Sequence, residues 1–275
     1  MVTAPPKPPP PAPPPPPSSP KATAVGKSFK VQTGVMASPQ KVVVYGPGGI
    51  GKTKLASLLA TVGVRTLVVD IEGGSHALDV ERVSDVATWE DLRSVVHDAA
   101  LLAPYGAIVI DSGTKAEELC MAWVLANVKD QQGNKVERVE DYGYGKGYSH
   151  IYETFLALLG DLDAVTRSGK HVVVICHDCT ANVPNPAGED WLQYQPRLQN
   201  PPKGSIRHRV KEWADHLLFV GYDVATNKDG KGIGSGTRTI YPTEMPTHWA
   251  KSRRLANVIP YADGSAELWN QLLNR

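Results

Sequence analysis

The chain has 275 residues, with 29 Lys and Arg against 28 Asp and Glu and a formal net charge of +1. A hydrophobic share of 41%, with 25 glycines besides, is that of a globular protein and excludes a wholly disordered chain. The balanced charge excludes a general pull toward nucleic acid or membrane, and three cysteines exclude a disulfide scaffold and point to a reducing cytoplasm.

Twelve of the 23 prolines fall within the first 20 residues. Proline fixes φ and removes a backbone donor, so residues 1–25 are expected to form a disordered, polyproline II-like tail. Such a tail is a spacer or a ligand for a proline-binding partner. Its opening, Met1-Val2-Thr3-Ala4-Pro5, lacks the charged-then-apolar pattern of a secretory leader. No apolar run reaches the ~18 residues of a membrane span, so a cytoplasmic protein without membrane contact is expected. Residues 21–40 are mixed, with an edge strand expected over Ser28 to Thr33.

From Lys41 the pattern becomes regular. Val42-Val43-Val44-Tyr45 reads as a buried strand, and Leu55, Leu58, Leu59 and Val62 mark a helix face. Thr66 to Ile71 reads as a second strand. Thr88-Trp89-Glu90-Asp91 has the form of a capping box, with Leu92, Val95, Val96 and Ala99 continuing one helical face. Ala107 to Ile110 is a third strand ending at Asp111, followed by a helix with Leu119, Ala122, Trp123 and Ala126. Residues 128–142 read as a loop. The next helix carries Ile151, Phe155, Leu158, Leu159 and Leu162. His171 to Cys176 and His216 to Gly221 are the fourth and fifth strands, and the proline-bearing stretch 178–204 reads as a long functional or disordered loop. Strands alternating with helices predict an α/β fold, one domain over 40–275 with a mostly parallel central sheet flanked by helices.

The sharpest motif is Gly46-Pro47-Gly48-Gly49-Ile50-Gly51-Lys52-Thr53, which satisfies G-x-x-x-x-G-K-[ST] between a strand and a helix. Glycines let successive backbone N–H groups turn toward phosphate oxygens. Lys52 is expected to reach the β- and γ-phosphates of ATP, and the Thr53 hydroxyl to bind Mg2+. Asp111, at the end of an apolar strand, is the expected Mg2+ partner through water; the plainer alternative is a helix-capping aspartate. Glu72, followed by two glycines, is the expected general base, or else a solvated turn carboxylate. His177 closes the fourth strand at the same edge, either against the γ-phosphate or as a structural histidine. Cys176 and Cys179 form a single C-x-x-C, which falls short of a structural zinc set.

These parts in this order resemble the RecA-like recombination ATPases, P-loop NTPases. The resemblance covers about residues 40–260. It implies that Glu72, within Asp70-Ile71-Glu72-Gly73-Gly74-Ser75-His76-Ala77-Leu78-Asp79, activates water, and that Asp111-Ser112 is the second nucleotide motif. His177 stands where that family often has a glutamine coupling nucleotide to a DNA-binding loop. The chain is most similar to a compact phage group with a RecA core that supports single-strand annealing and recombination. That likeness rests on Asp141-Tyr142-Gly143-Tyr144-Gly145-Lys146-Gly147-Tyr148 and on Ala250-Lys251-Ser252-Arg253.

The stretch after His177 holds Trp191, Tyr194 and Arg197, then Lys203, Arg207, Arg209 and Lys211. By resemblance it is a DNA-binding loop, with Arg197, Lys203, Arg207 and Arg209 as candidate contacts; the alternative is a solvated loop and helix face. Lys251 and Arg253 are expected to stabilise the transferring phosphoryl group, in cis or from a neighbouring subunit. The resemblance therefore implies an ATP- and Mg2+-dependent ATPase acting on single-stranded DNA. It would work as a homo-oligomer in a bacterial cytoplasm, with a single-strand-binding protein or a proline-binding protein as further partners. The alternatives are a nucleotide-gated binding module with slow hydrolysis and a small-molecule kinase.

Overall fold

The computed structural model describes residues 31, 33, 34, 36–226 and 232–273. The tail expected over 1–25 lies outside the described residues, as does most of the edge strand expected over Ser28 to Thr33. Val31 and Thr33, which are described, belong to no strand. Residues 37–275 form one compact unit, and every described helix and strand belongs to it.

The Val42-Val43-Val44-Tyr45 run lies in β1 (Lys41–Gly46), which is buried on both faces. The helix after it is short. α1 (Lys52–Ser57) tightens into a 3-10 segment (Leu58–Val62) that stops at Gly63, a left-handed residue with φ of 84°. β2 (Thr66–Asp70) and a three-residue β3 (Glu81–Val83) follow. Thr88 caps α2 (Trp89–His97) reciprocally: its hydroxyl accepts the Asp91 N–H at 3.1 Å, and its own N–H donates to the Asp91 carboxylate at 2.9 Å. Asp98 then breaks the helix by accepting the N–H groups of Ala100 and Leu101, opening α3 (Ala99–Leu102). Ala99, expected on the α2 core face, is therefore exposed.

β4 (Ala107–Asp111) leads directly into α4 (Gly113–Asn127). The buried stripe of α4 is Ala116, Cys120 and Val124, while Ala122 and Ala126 face solvent. Leu119 and Trp123 are half-buried against the core, and the centre of the stripe was missed because alanines and a cysteine carry little periodic signal. A 3-10 turn (Val139–Tyr142) precedes α5 (Lys146–Arg167), whose five expected apolar residues are all buried.

β5 (His171–Val183) does not end at Cys176. Its last six residues pair antiparallel with β6 (Trp191–Pro196), Asp178 opposite Pro196 and Val183 opposite Trp191. Much of the stretch expected as an irregular loop is thus a hairpin. Pro184 and Pro186 fall in its turn, where no ladder donor is lost. α6 (Ile206–Trp213), β7 (His216–Thr226) and β8 (Gly232–Tyr241) follow, then β9 (Lys251–Ser252), β10 (Ile259–Pro260) and α7 (Glu267–Leu273).

The main sheet has the order β10-β8-β7-β1-β5-β4-β2-β3. The run from β7 to β3 is parallel, and β8, β9 and β10 add antiparallel pairs at one side. Alternate residues serve the two faces, as the pleat requires. Val43, Tyr45, Ile108, Ile110, Val172 and Val174 pack with α2, α4, α5 and α6. Val42, Val44, Ala107, Val109, Val173 and Ile175 pack with α1 and α7. The fold is the expected α/β core, a mostly parallel central sheet flanked by helices.

His216 sits wholly buried at the start of β7, bonded to Ser252 Oγ at 2.7 Å and Gln40 Oε1 at 2.9 Å. Burial, reinforced by the charges of Arg254, Arg253 and Lys251 and opposed by Asp215, brings its pKa down to about 4. Above its ordinary pKa of ~6.5 both folded and unfolded chains hold it neutral and the stabilisation is complete. As pH falls from there toward the folded value, only the unfolded chain takes the proton. Denaturant titrations are therefore expected to show this site costing about 2 kcal/mol of stability between pH 7 and pH 5. His216→Gln should flatten the dependence in that window.

Candidate nucleotide-phosphate site

At the end of β1 the chain passes so close to β7 that a Cβ on Gly46 would fall on the Val220 carbonyl oxygen. Only glycine permits this approach. Gly51, with φ of 100°, is required twice over: a Cβ there would also lie 2.9 Å from the Tyr261 hydroxyl. The loop these glycines shape wraps the Lys52 ammonium, which donates to the carbonyls of Gly46 at 2.7 Å and Pro47 at 2.9 Å. Burial lowers the Lys52 pKa, and the charges of Asp178 and Asp111 work against that shift. A buried cation inside a turn of this kind favours an anion.

Thr53 and Asp111 meet across the gap between α1 and β4, the hydroxyl donating to the carboxylate at 2.6 Å. Burial raises the Asp111 pKa; the Thr53 bond opposes the rise, and the charges of Glu72 and Asp70 add to it. A hydroxyl and a carboxylate converging beside a phosphate loop are hard oxygen donors of the kind Mg2+ takes alongside phosphate oxygens. The residues therefore fit the ion. The C-x-x-C does not form a metal site among the described residues. Cys176 is fully buried, and the Cys179 thiol points to the carbonyls of Gln195 and Pro196.

β2 delivers two carboxylates with different fates. Asp70 is buried and accepts the N–H groups of Gly74 and Ser75 and the Ser75 hydroxyl. Burial raises its pKa, but these bonds outweigh it and the net shift is downward. Asp70 thus braces the turn that carries Glu72. The Glu72 carboxylate stays half-exposed, accepting a short bond from the Ser112 hydroxyl and lying 3.0 Å from His177 Nε2 by both oxygens. His177 is fixed through its backbone, its N–H donating to Thr114 Oγ1 and its carbonyl accepting the N–H of Arg197.

Lys52, Thr53, Glu72, Asp111 and His177 are thereby brought together at one sheet edge. Lys251 and Arg253 are not. β9 pairs with His216 and Leu217 at the start of β7, level with Val42 at the start of β1, so roughly 13 Å of strand separates them from Gly46. Lys251 donates to the last carbonyls of α6, those of Lys211 and Glu212, and Arg253 pairs with Asp215 at 3.2 Å. The cation beside the loop is instead Arg238. It donates to the Ile50 carbonyl at 2.9 Å, pairs with Asp263 at 2.5 Å and lies over the Tyr261 ring. Tyr261 in turn donates to the Gly51 carbonyl at 2.8 Å. The sequence reading missed both, because they reach the loop from about 200 residues away and sit in no motif.

Of the basic residues after His177, Arg197 and Lys203 project into solvent. Arg209 is exposed and lies 3.6 Å from Glu212. Arg207 is turned inward, its guanidinium donating to the Leu198 carbonyl and the Gln195 side chain.

A family model described as an AAA domain matches residues 38–254. No curated protein matches. Among solved structures, a RadB recombinase is similar at 14% identity and a TM-score of 0.38, over 74% of this chain and 80% of that one. A prototypical ATPase from the type III secretion system of pathogenic bacteria is similar at 12% identity and a TM-score of 0.40. That match covers 70% of this chain and about half, 53%, of the other.

Gly51→Ala tests the loop directly. Strain at a positive φ and the clash with Tyr261 are expected to lower stability by about 1–3 kcal/mol in denaturant titration. ATP affinity measured by calorimetry should fall with it, since the same backbone shapes the phosphate cradle.

Proposed function

Since the chain belongs to the AAA-domain family and carries a nucleotide-binding ATPase site, we propose that it hydrolyses ATP with Mg2+ while acting on single-stranded DNA in phage-type recombination or annealing. One observation carries this reading: Glu72 and Arg197 are both joined to His177, one to its ring and the other to its main-chain carbonyl.

In this reading the main chain of Gly46 to Gly51 and the Lys52 ammonium hold the β- and γ-phosphates. Thr53 and Asp111 hold Mg2+, which neutralises phosphate charge when bound. Glu72 orients and deprotonates the attacking water. Ser112 and His177 set the direction of its carboxylate. Any shift of His177 toward a γ-phosphate also pulls on Arg197 at the foot of the β5–β6 hairpin, which links nucleotide state to DNA contact. Arg197, Lys203 and Arg209 supply that contact, while Arg207 braces the segment that carries them. Lys251 and Arg253 serve the site of a neighbouring copy in a homo-oligomer, because their own loop is out of reach. The setting is a bacterial cytoplasm; a single-strand-binding protein and a proline-binding protein remain the proposed further partners. The described residues include no helix long and apolar enough to cross a membrane.

The clasp on Glu72 also favours slow turnover in the absence of DNA. Phosphate release should therefore rise on adding single-stranded DNA, and that stimulation should fade as salt rises. Glu72→Gln is expected to cut turnover by about 100-fold or more while ATP still binds. Lys52→Ala should abolish binding itself. Turnover indifferent to DNA at every salt concentration would refute the DNA reading and leave the ATPase standing.

A further inference from the structure

The segment Asp141 to Tyr148 opens α5, and all but one of its large or special residues serve the fold. Tyr142 is buried, its hydroxyl donating to the carbonyls of Val128 at 2.7 Å and Val124 at 3.1 Å. Gly143 and Gly145 take φ of 69° and 73°. Gly147 packs where a Cβ would lie 2.7 Å from Val139 Cγ1 and 2.8 Å from the Tyr142 ring. The Asp141 carboxylate accepts the Arg138 N–H at 2.9 Å. Tyr144 serves no such purpose. Its side chain is fully exposed, and among the described residues it alone of the non-glycines has a positive φ, 49°. That conformation costs about 1 kcal/mol and leaves a large aromatic ring in water. The turn thus presents the ring outward at a cost that packing does not return.

Two more tyrosines follow on the helix that the turn opens: Tyr148 and Tyr152, one turn or ~6 Å apart, each half-buried with one side against the core and the other lining a cavity. The segment 197–205 crosses the helix at this point. Gln199 donates to the Tyr148 carbonyl at 3.0 Å, and Gly204 packs on Tyr152. A cavity of about 320 Å³ opens on one side of the crossing, lined by Tyr148, Met121, Glu117 and Arg197. Another of about 480 Å³ opens on the other side, lined by Tyr152, Asn200, His208 and Arg209. Lys203 is exposed on the segment that lines the second cavity, and Lys146 begins the helix.

The acidic groups nearby are largely engaged. Glu118 pairs with Lys115, Glu212 lies near Arg209, and Glu140 accepts the Tyr148 hydroxyl. Glu117 accepts the Gln199 N–H, and burial pushes its carboxyl up to about 7. Aromatic faces in series beside cations are what a single strand needs: bases stack on the rings while phosphates meet the charges. A purely apolar protein partner would have no use for the cations.

We propose that Tyr144, Tyr148 and Tyr152, with Arg197, Lys203 and Arg209 alongside, form a track for single-stranded DNA in which bases stack on the tyrosines. The proposal rests on the DNA reading above and names where that strand lies. The test is anisotropy of labelled oligo-dT with the full chain across a salt series. Tyr144→Ala, which removes a solvent-exposed ring and keeps its melting temperature, should weaken binding about 5- to 100-fold with an unchanged salt slope. Tyr144→Trp should restore affinity, and the new indole should be quenched as DNA binds. Arg197→Ala should reduce the salt slope instead. If the wild-type chain binds oligo-dT and Tyr144→Ala binds equally well, the track is wrong and the DNA reading survives. If the wild-type chain binds no oligo-dT, the DNA reading itself falls, and the track with it.

Discussion

The parallel pairing of β5 between β1 and β4 is the constraint on which the site depends. Its register sets His177 beside Gly46, and Ile175 beside Asp111, which is itself level with Asp70 on β2. Parallel ladders allow no one-residue slip without exchanging the two buried faces. The valines and isoleucines of these strands therefore do more than fill a core. They hold the phosphate loop, the Thr53–Asp111 pair and the Glu72–His177 contact at a common level, at the ends of buried strands.

A consequence follows for charge. Lys52, Asp70, Glu72 and Asp111 are crowded at one edge, and several of them are buried. For Lys52, Asp70 and Asp111 burial opposes the charged form, and hydrogen bonds or neighbouring charges work against that effect. Burial raises Asp111, while backbone and hydroxyl donors keep Asp70 ionised. The two aspartates look interchangeable in sequence, yet one is a brace for a turn and the other takes the Thr53 hydroxyl beside the phosphate loop.

What was legible in the sequence and what was not divides along range. The phosphate loop was readable because its backbone needs particular residues at particular local spacings, and Gly46 and Gly51 show why. Asp111, Glu72 and His177 were readable as polar residues closing apolar strands. The β5–β6 hairpin was hidden by prolines that sit in its turn. β8 was not anticipated, since glycines at 232, 234 and 236 leave no alternating apolar pattern there. Arg238 and Tyr261 could not be found at all, since nothing local to them refers to a loop 188 and 210 positions earlier. The stripe of α4 was half legible: Leu119 and Trp123 do flank the core, but Ala116 and Cys120 at its centre are small and do not announce themselves as apolar.

The bond from the Trp269 indole to the Leu55 carbonyl, at 2.6 Å, spans 214 positions and seats α7 against the helix that follows the phosphate loop. Trp269 and Leu55 are both buried in the layer on that face of the sheet, so a segment 214 positions away backs the phosphate loop from behind.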